Sequence, residues 1–228
     1  MIAGHDTGLN VLIGSIAAVM SAISSNEIFI VDDDAAVCGL LSVAFTVEGY
    51  QVTAFSDGMS FISSARARLP ACVLLDVYMP VKTGLDILKE LDATIYPAPI
   101  FIMSGGGDIP TAVEAVKNGA YDFLEKRLGT DAIVARVCET ISRWTQRQRT
   151  LDGAAPTSQS FPGCDRLTPR EYEVLSQITA AASSKEAARN LGISQRTVEI
   201  HRLHIMQKLG AKNAVDLVRK VLSSGRTT

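Results

Sequence analysis

The chain has little of what a metalloenzyme or a redox protein would need. Four cysteines occur in 228 residues (Cys38, Cys72, Cys138 and Cys164), and no two have zinc or redox spacing. That excludes a local zinc ribbon or dithiol motif and suits a cytoplasmic chain with reduced, buried thiols. Histidine is scarce as well: His201 and His204 lack the company of other ligands and read as packing or surface residues. The run Gly105-Gly106-Gly107 is followed by no Gly-Lys-Ser or Gly-Lys-Thr, so a flexible loop is expected rather than a phosphate loop. Membrane-spanning length is also missing. The apolar stretch LNVLIGSIAAVMSAI is shorter than the ~20 residues a bilayer helix needs. No Lys or Arg precedes it and no convincing cleavage site follows, so it does not read as a secretory signal. Residues 1–25 are expected to be an extension without function, either a docked helix or a segment upstream of a start at Met20.

Charge is unevenly divided. Residues 1–165 carry 11 basic and 19 acidic side chains, a net −8, whereas residues 166–228 carry 11 and 5, a net +6. The basic last quarter points to a nucleic-acid partner there, and the length accommodates one or two domains.

From Asn26 onward, short β-rich runs alternate with helical ones. EIFIV, QVTAF, ACVLLD, PIFIMS and AYDFLE read as five strands. Helices are expected after each, over Leu85–Leu91 and Ile109–Asn118 and from Asp131 to about Arg149 among them. This is an α/β pattern with a parallel sheet covered on both faces. Ligands of such sheets bind at the carboxyl ends of the strands. Asp32 and Asp33 end the first strand, Asp76 the third and Ser104 the fourth, while Lys126 follows the fifth. Three converging carboxylates repel one another without a cation, and an incompletely filled oxygen site suits hydrated Mg²⁺. A hydroxyl and an ammonium beside them would complete a pocket for a phosphoryl group, with Asp76 as nucleophile. Asp34 and Asp57 read as helix caps.

IVDDD, LLDVYMP, TGLDIL and IFIMSGGGDIPTAVEAVKNGAYDFLEK resemble a response-regulator receiver domain, of (βα)5 type, over residues 26–145. The resemblance implies that Asp33 binds Mg²⁺ directly and Asp32 through water, with the Tyr78 carbonyl as a further ligand. It implies that Asp76 accepts the phosphoryl group from a sensor histidine kinase and that Ser104 and Lys126 hold its oxygens. Phe123 stands at the family's switch aromatic, and the surface near the fourth helix, fifth strand and fifth helix is where a homodimer would form on phosphorylation. One departure concerns Lys126-Arg127, where the family has Lys-Pro with a commonly cis peptide; a non-proline bond is expected to be trans. A haloacid-dehalogenase-like phosphatase is the rival that also forms an aspartyl phosphate, but it wants Asp-x-Asp after its first strand, which this chain lacks.

Residues 146–165 read as a linker, helical at first. LTPREYEVL then opens a small all-α unit, residues 166–228, with sharp start signals: a Thr168 cap, Pro169 and Glu171. Ser183 and Glu186 repeat the device, Gly192 turns the chain, Ser194 caps a third helix through Leu209, and Asn213 caps a fourth. This is a helix-turn-helix candidate. Val198, Ile205 and Leu209 are expected to face inward; Arg196, Glu199, Ile200 and Leu203 share an outer face. LTPREYEVL and SSKEAARNLGISQRTVEIHRLHIMQKLGAKN resemble the LuxR-type DNA-binding domain, without its usual glycine before the second helix. The whole chain thus resembles a NarL/FixJ-family response regulator. The expected function is transcriptional control of promoter DNA, with RNA polymerase as a further partner, no membrane contact and no enzymatic role beyond its own phosphorylation and dephosphorylation. Arg196, Glu199, Ile200 and Leu203 are expected at base edges and Thr197, Arg202 and Lys208 at phosphates. Arg170 and Lys185 read as solvated charges. The alternative is a phosphotransfer or phosphatase protein whose last module binds a protein.

Overall fold

The computed structural model describes residues 26–106, 109–151, 161 and 163–223. The expected N-terminal extension, Gly107 and half of the expected linker lie outside the described residues. Five parallel strands form one sheet in the order β2-β1-β3-β4-β5: β1 Glu27–Val31, β2 Gln51–Phe55, β3 Cys72–Asp76, β4 Ile100–Ser104 and β5 Asp122–Glu125. The order reverses between β1 and β3, and in open α/β sheets the crevice outside that point binds ligands. Asp32 and Asp76 stand there.

The strands are apolar almost throughout because both faces are covered. Ile28, Ile30, Leu74, Phe101 and Met103 enter one buried cluster; Phe29, Val31, Val73, Leu75, Ile100 and Ile102 enter the other. The period of two in a strand separates them, and helices cover both sides. These helices are α1 Ala35–Val47, α2 Gly58–Ala67, α3 Gly84–Leu91, α4 Ile109–Lys117 and α5 Thr130–Leu151. Asp34 and Asp57 are caps, accepting from Ala36 and Val37 and from Met59 and Ser60. Thr83 and Asp86 close a capping box at α3.

Four helices follow: α6 Pro169–Thr179, α7 Ser184–Leu191, α8 Gln195–Lys208 and α9 Ala214–Ser223. Thr168 with Glu171 and Ser183 with Glu186 form the two expected capping boxes. Ser194 caps α8, and Asn213 accepts from the Asp216 amide at the start of α9. Gly192 takes φ +66°, a conformation that a side chain strains, and so makes the tight turn from α7 to α8. Val198 and Ile205 are fully buried, as their spacing predicts. One cluster of buried residues runs without a break from the sheet into this helical unit, from Phe101 and Tyr121 to Leu191, Ile193 and Val198. None of the described helices is long and apolar enough to cross a membrane.

Candidate functional site

The carboxyl edge of the sheet gathers the expected polar residues. Asp32 and Asp76 are buried, Asp33 is exposed, and one carboxylate oxygen from each lies within 4.8 Å of the others. Lys126 reaches across from the end of β5, placing Nζ 2.7 Å from Asp32 Oδ2 and 2.8 Å from Asp76 Oδ1. Backbone amides hold the remaining oxygens: Asp34 donates to Asp32 Oδ1 at 3.0 Å and Tyr78 to Asp76 Oδ2 at 3.1 Å. Asp76 is thereby aimed by its own loop and one ammonium.

Burial raises the Asp76 pKa, and the nearby Asp32 charge adds to the rise, while the Lys126 pairing opposes it. Burial works against the Lys126 ammonium too, but its bonds to Asp32 and Asp76 outweigh that and raise its pKa. Three carboxylates against one ammonium leave the pocket short of positive charge. An all-oxygen donor set of this kind fits a hard divalent cation such as Mg²⁺.

Ser104 is fully buried at the end of β4, and its hydroxyl donates to the Gly106 carbonyl at 2.8 Å. It is therefore turned into its own loop rather than bonded to Asp76. Phe123 is buried on β5 opposite Ile102. The Lys126-Arg127 peptide is trans, as expected for a bond without proline. Lys126 nonetheless reaches both carboxylates.

Sequence reasoning missed Gly84. A Cβ there would stand 2.2 Å from the Asp76 carbonyl oxygen, so only glycine lets α3 start this close to β3. The signal was the Thr-Gly pair after the strand, a cap followed by a residue that takes little room.

The helix-turn-helix is not free. Of the residues expected to meet DNA, Ile200 and Thr197 are buried and Lys208, though exposed, is paired within its own unit. Ile200 is 5% exposed and joins the cluster formed by Phe123, Ala112 and Val116, because α8 packs against α4 of the receiver side. Thr197 is fully buried and donates its hydroxyl to Asp122 Oδ1 at 2.5 Å. Lys208 is not a free phosphate contact either, since its Nζ lies 2.6 Å from Glu171 Oε2. Arg196 is half-buried, 3.7 Å from Glu125 and with its guanidinium 5.9 Å from the Phe123 ring centre. Glu199 and Leu203 are exposed as expected, and Arg202 is half-buried. Arg170, expected as a solvated charge, lies over the Tyr121 ring at 4.2 Å and donates to the Leu191 carbonyl; Lys185 is exposed.

Asp122 organises this contact. It is fully buried and takes a bond from Arg136 Nη2 at 3.1 Å, besides those from the Ser194 amide at 3.1 Å and from Thr197. The residue looks like filler within AYDFLE. An aspartate inside an apolar strand, however, demands partners, and that was the available signal.

Known proteins agree with both halves. Residues 28–138 match the response regulator receiver domain, and residues 165–221 match the bacterial regulatory proteins of the luxR family. The chain is 36% identical over 202 residues to transcriptional regulatory protein FixJ of Bradyrhizobium diazoefficiens, covering 89% of this chain and 97% of that one. It is 33% identical over 195 residues to response regulator protein TodT of Pseudomonas putida, covering 86% and 85%. The crystal structure of full-length FixJ from B. japonicum aligns with a TM-score of 0.51 at 35% identity, over 89% of this chain and 98% of that one. The continuous match across both halves places this chain among the response regulators that join a receiver domain to a LuxR-family DNA-binding domain.

Proposed function

We propose that Asp76 is the phosphorylation site of a transcription regulator and that its phosphorylation frees the helix-turn-helix for promoter DNA. The observation that carries this is the pairing of buried Asp76 with Lys126 beside Asp32 and Asp33. An Asp76 oxygen attacks the phosphorus of a phosphohistidine on a sensor histidine kinase. The O–P bond forms as the N–P bond breaks, and the histidine nitrogen keeps the electron pair. Asp32, Asp33 and Asp76, with the Tyr78 carbonyl, would hold Mg²⁺, which supplies charge neutralisation for the phosphoryl oxygens. Lys126 orients Asp76 and holds one phosphoryl oxygen; the Ser104 hydroxyl leaves Gly106 to hold another. No separate substrate is turned over, which makes this a regulator rather than an enzyme of wider scope. A cytoplasmic chain with free cysteines suits these partners.

The switch runs through paired strands. Ser104 lies in register with Glu125 and Ile102 with Phe123, so a change at Ser104 is one strand away from the two groups that meet Arg196. Movement of Phe123 towards the space left by Ser104 withdraws support from Arg196 and Ile200, and α8 is released. The surface of α4, β5 and α5 is uncovered at the same time and becomes available for a homodimer. Arg196, Glu199, Ile200 and Leu203 can then approach bases and Arg202 phosphates, with RNA polymerase as the downstream partner. A phosphate can shift this equilibrium only by as much as it favours the open state over the closed.

The test is mass spectrometry after treatment with acetyl phosphate and Mg²⁺. One added phosphoryl group is expected, absent from Asp76→Asn. Equal labelling of that variant would place the acceptor elsewhere.

A further inference from the structure

The helix α1 carries no charged residue over its 13 positions. Its solvent side nevertheless shows Ala36, Gly39, Leu40, Val43, Thr46 and Val47. Leu40, Val43 and Val47 are 59%, 66% and 80% exposed, and their spacing of three and four sets them in one stripe. Leu128, 57% exposed, widens it, because Leu40, Val43 and Ala44 share a groove with Leu128 and Gly129. Single apolar side chains on a surface need no explanation. A contiguous stripe on a helix without charge on any side is normally covered.

The chain itself supplies a cover. Residues 9–23, LNVLIGSIAAVMSAI, lie outside the described residues and ahead of the receiver match, which begins at residue 28. They carry no charge either. At helical spacing Leu9, Leu12, Ile16, Val19 and Ile23 share one side, with Asn10, Gly14, Ala17 and Ser21 opposite. The point of entry into the sheet decides what this run can reach. Asn26 donates its side-chain amide to the Gly49 carbonyl and accepts from the Gln51 amide, so the chain enters β1 beside the end of α1. Only Ser24 and Ser25 separate Asn26 from Ile23. From Val47 back to Leu40 is about 10 Å along α1, and the run from Leu9 to Ile23 spans about 22 Å even as a helix. A second copy of the chain is a poorer occupant. Four exposed side chains fall far short of the ~20–30 residues a side of a stable interface, whereas a tethered segment docks at high effective concentration.

We propose that residues 9–23 lie back along α1, from Val47 to Leu40 and Leu128, and cover its apolar stripe. The cover flanks the phosphorylation pocket, since α1 is capped by Asp34, the neighbour of Asp33. Its docking does not depend on the phosphorylation of Asp76.

Hydrogen exchange of the full chain, read by mass spectrometry, tests the docking. Amides of residues 9–23 are expected to exchange about tenfold or more below the unfolded-chain rate. Ile16→Glu charges the segment and Val43→Glu charges its seat. Each is expected to restore fast exchange at residues 9–23, with the five strands as protected as in the wild type. Val47→Glu takes the place of Val43→Glu if that variant's strands lose protection. Emission of the apolar dye anilinonaphthalene sulfonate reads the other partner: Ile16→Glu is expected to raise it, because the α1 stripe is uncovered. Exchange of wild-type residues 9–23 at the unfolded-chain rate would overturn the proposal. So would protection that survives a charge on α1, which seats the segment elsewhere, or protection lost on dilution, which makes a second copy the occupant. Unchanged dye emission in Ile16→Glu would also overturn it.

Discussion

Single residues in this molecule act through the groups they leave unpaired. Lys126 is 24% exposed along its side chain, but its two carboxylate partners are almost wholly buried. Lys126→Ala strands both charges, and losing one side of a buried pair costs about 3–5 kcal/mol. The expected outcome in thermal melts is a large loss without Mg²⁺ and a larger gain on adding Mg²⁺ than the wild type shows. Equal gains would mean that cation and ammonium do not share the pocket. His201 gives the molecule a pH dependence. Its folded pKa lies near 3 against an ordinary 6.5, so the unfolded chain binds a proton over a range where the folded chain does not. The stability this contributes is complete above about pH 6.5 and is lost progressively as pH falls towards 3. In urea titrations His201→Gln should flatten that slope, and an unchanged slope would exclude His201 as its source. The five residues Asp32, Asp33, Asp76, Ser104 and Lys126 were legible because strand ends are fixed by local pattern. Asp122 was not legible as functional, since its partners Ser194 and Thr197 lie across a domain boundary.

At the scale of elements, the approach of α3 to β3 and the cover over α8 decide the behaviour. Gly84→Ala puts a methyl group against the Asp76 carbonyl, so the strand end or the helix start must move. Slower phosphorylation of Asp76 by acetyl phosphate is expected, with a small loss of stability; an unchanged rate would mean that the loop absorbs the shift. On α8, Glu199 is exposed, and its carboxylate accepts from Gln195 on the same helix. It is the acidic member of the expected reading face, suited to accept from a cytosine amino group. Glu199→Ala should change the selected base at one position of each half-site, with a penalty of about 1–3 kcal/mol at that base pair. Binding-site selection with the phosphorylated variant reads this, and an unaltered site would remove Glu199 from base readout. Helical periodicity identified α8 and its inward Val198 and Ile205, but not the burial of Ile200 on the face expected to be outer. Which face was covered could not follow from it, because a period says only that two faces differ.

For the whole molecule, the closed contact uses residues that are proposed to meet DNA, and on that reading the two compete. Thr197→Val keeps the shape of the side chain and removes its bond to Asp122. A hydrogen bond to a charged group is worth about 1.5–3 kcal/mol, so closure weakens by up to that amount. The unphosphorylated variant is expected to bind promoter DNA about tenfold or more tightly than the unphosphorylated wild type. Weaker binding would instead make Thr197 a phosphate contact in the complex. The sequence by itself determined the two fold types, the order of elements, their caps and the acidic pocket, because each rests on contacts within a few residues or on a repeating strand-end position. The tertiary structure alone decided that Asp122 bonds Ser194 and Thr197, that Ile200 is buried against α4, and that His201 borders a cavity with Trp144. Those facts depend on how two separately folded surfaces meet, a docking set by shape and by pairing of distant polar groups, and no local pattern in the chain encodes it.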